Sequence, residues 1–202
     1  MRKFAIAMAL VVAAGAAQAK EANTGTLWSG HNTGVGAGFS SRTVSTLNIN
    51  VAGIDSNDEY GQAINVVNTY NIGANSHVIG IGWDVTLTAD SPSWLSELSV
   101  AFEDSAQTTG VFLSPGAGDD FSGTSVYSSG GVVDLVGLAL DFNVGPDGIL
   151  RLEYFEGFDD FAGDWDGIWD AGTLTVQYDT VPAPGAAGVL AVGGLMALRR
   201  RR

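Results

Sequence analysis

Apolar and polar residues alternate with a period of two through most of the middle of the chain. Leu47, Ile49 and Val51 alternate with Asn48 and Asn50, and Ile79, Ile81, Trp83, Val85 and Leu87 with Gly80, Gly82, Asp84 and Thr86. Leu98, Val100 and Phe102 form a third row. Val136, Leu138, Leu140, Phe142 and Val144 form a fourth, interleaved with Gly137, Ala139, Asp141 and Asn143. Leu150, Leu152 and Tyr154, then Leu174, Val176 and Tyr178, complete the pattern. Successive side chains of a strand point to opposite faces, so each row predicts a strand with one face inward and one toward water. Turn sequences separate the rows: Asp90-Ser91-Pro92, Ser114-Pro115-Gly116, Ser129-Gly130-Gly131 and Gly145-Pro146-Asp147-Gly148. No stretch of the body holds a sustained helical spacing. The expectation is an all-β fold, an antiparallel β-sandwich or jelly roll, over residues 43–180. Residues 20–42 are rich in Gly, Ser and Asn around Trp28 and Phe39, which fits either an edge strand or a flexible arm.

The two ends follow different rules. Met1-Arg2-Lys3 precedes the apolar run Phe4 to Ala17 and the small-x-small triplet Ala17-Gln18-Ala19. This is the order of a secretory signal peptide, a helix removed after Ala19 by signal peptidase once the Sec machinery has exported the chain. At the other end stand Val181, Pro182, Ala183, Pro184 and Gly185, an apolar segment to Leu198, then Arg199, Arg200, Arg201 and Arg202. As a helix, the apolar segment is shorter than the roughly 30 Å hydrocarbon core of a bilayer. Terminal arginines favour the cytoplasmic side, which leaves the body outside the inner membrane. A short and weakly apolar tail suits transient membrane residence; the alternative is an ordinary C-terminal anchor with the same topology.

The tail resembles the PEP-CTERM sorting signal of Gram-negative bacteria, in which a Pro-Glu-Pro motif, an apolar helix and a basic cluster are read by a membrane protease, exosortase. The match falls on Pro182, Ala183 and Pro184, on Gly185–Leu198 and on Arg199–Arg202, with Ala183 where the family usually has Glu. The resemblance implies an exported cell-envelope or matrix protein associated with exopolysaccharide. It covers about a tenth of the chain and speaks for sorting alone. Residues 83–179 also resemble the β-sandwich body of other proteins with this signal, through Trp83-Asp84-Val85-Thr86-Leu87-Thr88, Ser93-Trp94-Leu95, Phe158-Asp159-Asp160 and the segment from Trp169 to Thr175. They are more distantly similar to the jelly-roll P domain of some secreted proteases.

Charge narrows the functional classes. The chain has 202 residues, 22 Asp and Glu, 9 Lys and Arg, and no Cys. That length suggests one domain. The lack of Cys excludes a disulfide scaffold, a zinc–thiolate site and a thiol nucleophile. Between the two end segments only Lys20, Arg42 and Arg151 are basic, whereas every acidic residue lies there, for a formal body charge of −19. Such a surface repels nucleic acid and anionic lipid and attracts divalent cations, or simply keeps an exported protein soluble.

The densest acidic stretch holds Glu153, Glu156, Asp159, Asp160, Asp164, Asp166 and Asp170, with Gly157, Gly163 and Gly167 among them. Read as mostly loop between two strands, it offers Asp159, Asp160, Asp164, Asp166 and Asp170 as ligands for Ca2+, which takes six to eight oxygens. Asp164-Trp165-Asp166-Gly167 resembles the start of a calcium loop but lacks the remaining EF-hand ligands. The alternative is a solvated loop whose Trp165 and Trp169 cover the core. Asp55, Asp58 and Glu59, and Asp119 with Asp120, read as acidic turns that complete a cation site if the fold brings them near. Paired carboxylates and five Trp also allow a secreted hydrolase, and an exposed row of aromatics would mark a carbohydrate-binding module. His31 and His77 sit in turn-like sequence and read as surface residues; with no Gly-x-Ser-x-Gly turn there is no nucleophile elbow. The reading is a non-catalytic exported β-sandwich.

Overall fold

The computed structural model describes residues 26–29, 43–160 and 165–180. They form two antiparallel sheets packed face to face. The first contains β1 (Thr26–Ser29), β4 (Val66–Asn71), β6 (Leu98–Asp104), β7 (Gly110–Ser114) and β11 (Ile149–Glu156), in the order β1-β7-β6-β11-β4. The second is built on β5 (His77–Ala89) and β12 (Gly167–Thr180), in the order β10-β5-β12-β2, with β2 at Thr43–Asn50 and β10 at Phe142–Asn143. Three short strands extend it. β3 (Ile54–Ser56) pairs with β12, and β8 (Gly123–Ser128) and β9 (Val133–Asp134) pair with β5. The chain is thus an all-β sandwich, and β1 shows that at least part of the leader is an edge strand, paired with β7.

The inward rows meet between the sheets. Val100, Phe102, Leu152 and Tyr154 from the first sheet face Ile81, Trp83, Val85, Leu87, Trp169 and Leu174 from the second, all buried. The Tyr154 and Trp169 rings join the two sheets edge to face at 5.3 Å. Such aromatic pairs add to the stabilisation from area alone.

The first sheet departs from the expected wet outer face. Every residue of β6 is buried. The segment 57–65 crosses the outer face, and Tyr60 packs on Phe112 at 4.9 Å and on Phe155 at 5.5 Å. Amphipathic alternation therefore understates the burial of this sheet.

The row from Val136 to Val144 is not one strand. Leu135–Leu138 form a single helical turn, α1, and only Phe142–Asn143 pair as a strand. Leu135 is the buried anchor, while Val136 and Leu138 are exposed. Ala139 takes a left-handed conformation, φ 56°, and the turn closes through the Leu140 N–H donated to the Leu135 carbonyl at 2.9 Å. Period two shifts once more at Ile79. Gln177 pairs with Gly80 but Tyr178 with Val78, so Ile79 is the extra residue of a bulge. Val78 then takes the fully buried place that alternation assigns to Ile79.

His77 is likewise not a surface histidine. It opens β5, is buried, and its Nε2 lies 2.7 Å from Asp141 Oδ2. This acidic partner, placed just before β10, is what makes the burial tolerable. Among the described residues no helix is long and apolar enough to cross a membrane. The residues of the expected signal peptide, His31, and those of the expected sorting segment, Val181 to Gly185 and Arg199 to Arg202 included, lie outside the described residues.

Candidate functional site at one end of the sandwich

Three loops gather where β5, β7 and β11 end: 90–97, 115–122 and 157–166, the last with 161–164 outside the described residues. Backbone hydrogen bonds stitch them together. Leu95 N–H donates to Phe121 O at 3.0 Å, Ser96 N–H to Asp119 O at 3.1 Å, and Gly157 N–H to Glu97 O at 2.9 Å. The turn 55–59 joins them. Asp166 N–H donates to Ser56 O at 3.0 Å, and Glu156 N–H to Asp58 O at 2.9 Å. Turn 55–59 therefore meets the larger acidic stretch directly, and Asp119-Asp120 is tied to it through loop 90–97.

Glu156 lies at the bottom of this corner. It continues the inward row Leu150, Leu152, Tyr154 and is 1% exposed. Both carboxylate oxygens lack a hydrogen-bond partner, and the neighbouring Ser56 hydroxyl, also fully buried, acts on it without reaching hydrogen-bond geometry. Burial pushes the Glu156 carboxyl up to about 8; Ser56 works against this, and Asp166, Glu97 and Asp160 add to it. Asp166, also fully buried, accepts the Asp160 N–H at Oδ2, 3.2 Å away. Glu97 accepts the Trp94 N–H at 2.7 Å. Burial raises its pKa, the Trp94 bond opposes this, and Asp160, Asp166 and Asp120 raise it further.

The sequence-derived cation set is thus divided. Asp160 and Asp166 stand in the corner, and one buried oxygen of Asp159 has no hydrogen-bond partner. Asp164 lies outside the described residues. Asp170 is not a loop residue: it is the exposed extra residue of a bulge in β12 and accepts the Thr88 hydroxyl. Glu153 and Glu156 are strand residues as well. Among the described residues no three Asp, Glu or His side chains are grouped so that they could hold a metal ion. The acidic stretch read as loop hides Glu156, which ends β11. Its parity with Leu150, Leu152 and Tyr154 is the signal that places it inward.

The rim of the corner is aromatic. Among the described residues, Trp94, Phe121, Phe158 and Trp165 are the exposed Trp and Phe, and all four lie on these three loops. Trp83 and Trp169 belong to the core.

A second buried charge group lies on the outer face of the first sheet. Arg151 on β11 is directly opposite Glu103 on β6 and shares a face with Glu153. Its guanidinium bonds Glu103 and lies 2.7 Å from Glu153 Oε2. Both carboxylates are fully buried. Tyr60 donates its hydroxyl to Glu103 at 2.6 Å, and Gly61 N–H and Asn65 Nδ2 donate to Glu153 at 2.6 and 2.9 Å. Burial, then Glu103, holds the Tyr60 phenol far above its ordinary range. The group fastens segment 57–65 over the sheet. Arg151-x-Glu153 on a strand was its legible signal, since residues two apart share a face.

Fold and site together define the class: an all-β sandwich with a buried acidic corner and an aromatic rim. No protein-family model and no curated protein matches the chain. Among solved structures it is similar to the crystal structure of the infectious bursal disease virus VP2 subviral particle, at 14% identity and a TM-score of 0.33. That similarity covers 66% of this chain and 32% of the viral one, so the chain spans about a third of its neighbour's length.

Proposed function

We propose that the chain is an exported protein of the Gram-negative cell envelope or extracellular matrix, sorted by a PEP-CTERM-type tail, with a non-catalytic β-sandwich as its working part. The observation that carries this reading is the tripartite segment 181–202 behind a body that holds all 22 acidic residues. The fold supports it: a two-sheet sandwich places its variable loops at its ends, as surface modules do. On this reading signal peptidase and an exosortase-type protease are the processing partners, the inner membrane is a transient one, and exopolysaccharide is the matrix.

The test is to express the full chain in a Gram-negative host that carries an exosortase and to read both termini by mass spectrometry. The expected product begins at Lys20 and lacks the basic tail; replacing Pro182 and Pro184 by Ala leaves the tail uncut. A cytoplasmic chain with residues 1–19 intact overturns the proposal.

The aromatic rim favours a second reading, a carbohydrate-binding module, since exposed Trp and Phe supply flat apolar platforms for sugar rings. Retardation of the exported protein in gels containing neutral polysaccharide, lost in Trp94→Ala/Trp165→Ala, is the expected result. Unchanged migration in every polysaccharide tried removes this reading.

A further inference from the structure

We propose that the buried corner at this end of the sandwich is a divalent-cation site of the calcium type, with Glu156 and Asp166 as its carboxylate floor, Ser56 beside them, and Glu97 and Asp160 at the rim. The inference is independent of where the protein is exported.

Four observations converge on it. Two carboxylates, Glu156 at the end of β11 and Asp166 just before β12, are both essentially sealed from water. Neither Glu156 oxygen has a hydrogen-bond partner, and one oxygen of Asp159 in the adjoining loop is buried in the same state. Glu97, Asp160 and Asp166 all act electrostatically on Glu156, so acidic groups are concentrated here with no cationic side chain among them. The nearest described Arg, Arg151, is taken up by Glu103 and Glu153. Buried charge left uncompensated is costly, and a bound cation removes that cost.

The donor chemistry selects the ion. Cys is absent, and His77 is engaged by Asp141. The corner offers only oxygen: carboxylates, the Ser56 hydroxyl and backbone carbonyls. Hard cations take such sets, and Ca2+ accepts irregular geometry and mixed carboxylate, carbonyl and water ligands better than Mg2+ does. Since no three Asp, Glu or His side chains among the described residues are grouped so that they could hold a metal ion together, Glu156 and Asp166 supply the carboxylates, and the Ser56 hydroxyl, backbone carbonyls and water complete the shell. This site differs from the five-aspartate loop expected from sequence: its floor includes a strand glutamate, and Asp170 has no part in it.

The test is thermal unfolding of the purified exported protein, stripped with EDTA and then titrated with CaCl2, MgCl2 or NaCl of equal ionic strength. Calcium at about 100 times its dissociation constant should raise the Tm by several degrees beyond the smooth screening effect of NaCl at equal ionic strength. Glu156→Gln replaces the carboxyl by an amide of the same shape that cannot become a carboxylate ligand, so in EDTA it should stay close to the parent in stability while losing the calcium shift. Terbium provides a readout that does not depend on stability. Emission sensitised by Trp165, the neighbour of Asp166, should saturate and be displaced by calcium. An unchanged parent Tm in calcium, an equal calcium shift in Glu156→Gln, or terbium emission that calcium does not displace, each overturns the proposal.

Discussion

Arg151 is the residue on which the first sheet's outer face depends. It neutralises two carboxylates that water does not reach, and those carboxylates in turn hold Tyr60, Gly61 and Asn65 of the covering segment. Breaking a buried ion pair from one side leaves the other side uncompensated, at a typical cost of about 3–5 kcal/mol. Arg151→Met should therefore lower the urea-unfolding free energy by about that amount. The triple replacement Glu103→Gln/Arg151→Met/Glu153→Gln should recover most of the loss, because it removes the stranded charges together. Recovery of nothing in the triple variant would place the cost in packing instead. Tyr60→Phe is a milder probe: it deprives Glu103 of a donor and should cost about 1–3 kcal/mol.

The pairing of β5 with β12 shows how an element fits its neighbours. Asp170 and Ile79 are extra residues on the two strands, and each bulge changes the phase of the rows beyond it. Gly172 follows the first of these bulges at φ 116°, where a Cβ would stand 2.2 Å from the Asp84 carbonyl oxygen. Both backbone strain and contact oppose any side chain there. Gly172→Ala should cost about 2 kcal/mol or more, measured as a lower urea midpoint with an unchanged m-value. A Tm equal to that of the parent would mean that β5 can retreat from β12 at this point. The helical turn α1 teaches the same lesson. Its alternating sequence is suited to a strand, yet Leu135 reaches the core only if the chain turns there, and packing overrides the local pattern.

A body charge of −19 makes the folded chain repel itself. The Debye length falls from about 30 Å at 0.01 M salt to about 3 Å at 1 M. In EDTA, the Tm should rise as NaCl increases over that range, smoothly and without saturation at low concentration. A flat response would show that the acids are compensated locally. What was legible beforehand follows from this distribution of charge and apolar residues. Composition and period two were enough for an antiparallel sandwich, for most strand positions and for Trp83 in the core, because each depends on near neighbours along the chain. Sequence alone also located the acidic stretch. It did not reveal that Glu156 closes the inward row of β11, that turn 55–59 and loops 90–97 and 115–122 meet it, or that His77 pairs with Asp141. Nor did it show that Arg151 lies under a covering loop. These depend on contacts between residues distant in sequence, where strand register, bulges and loop crossings decide which charges are buried together.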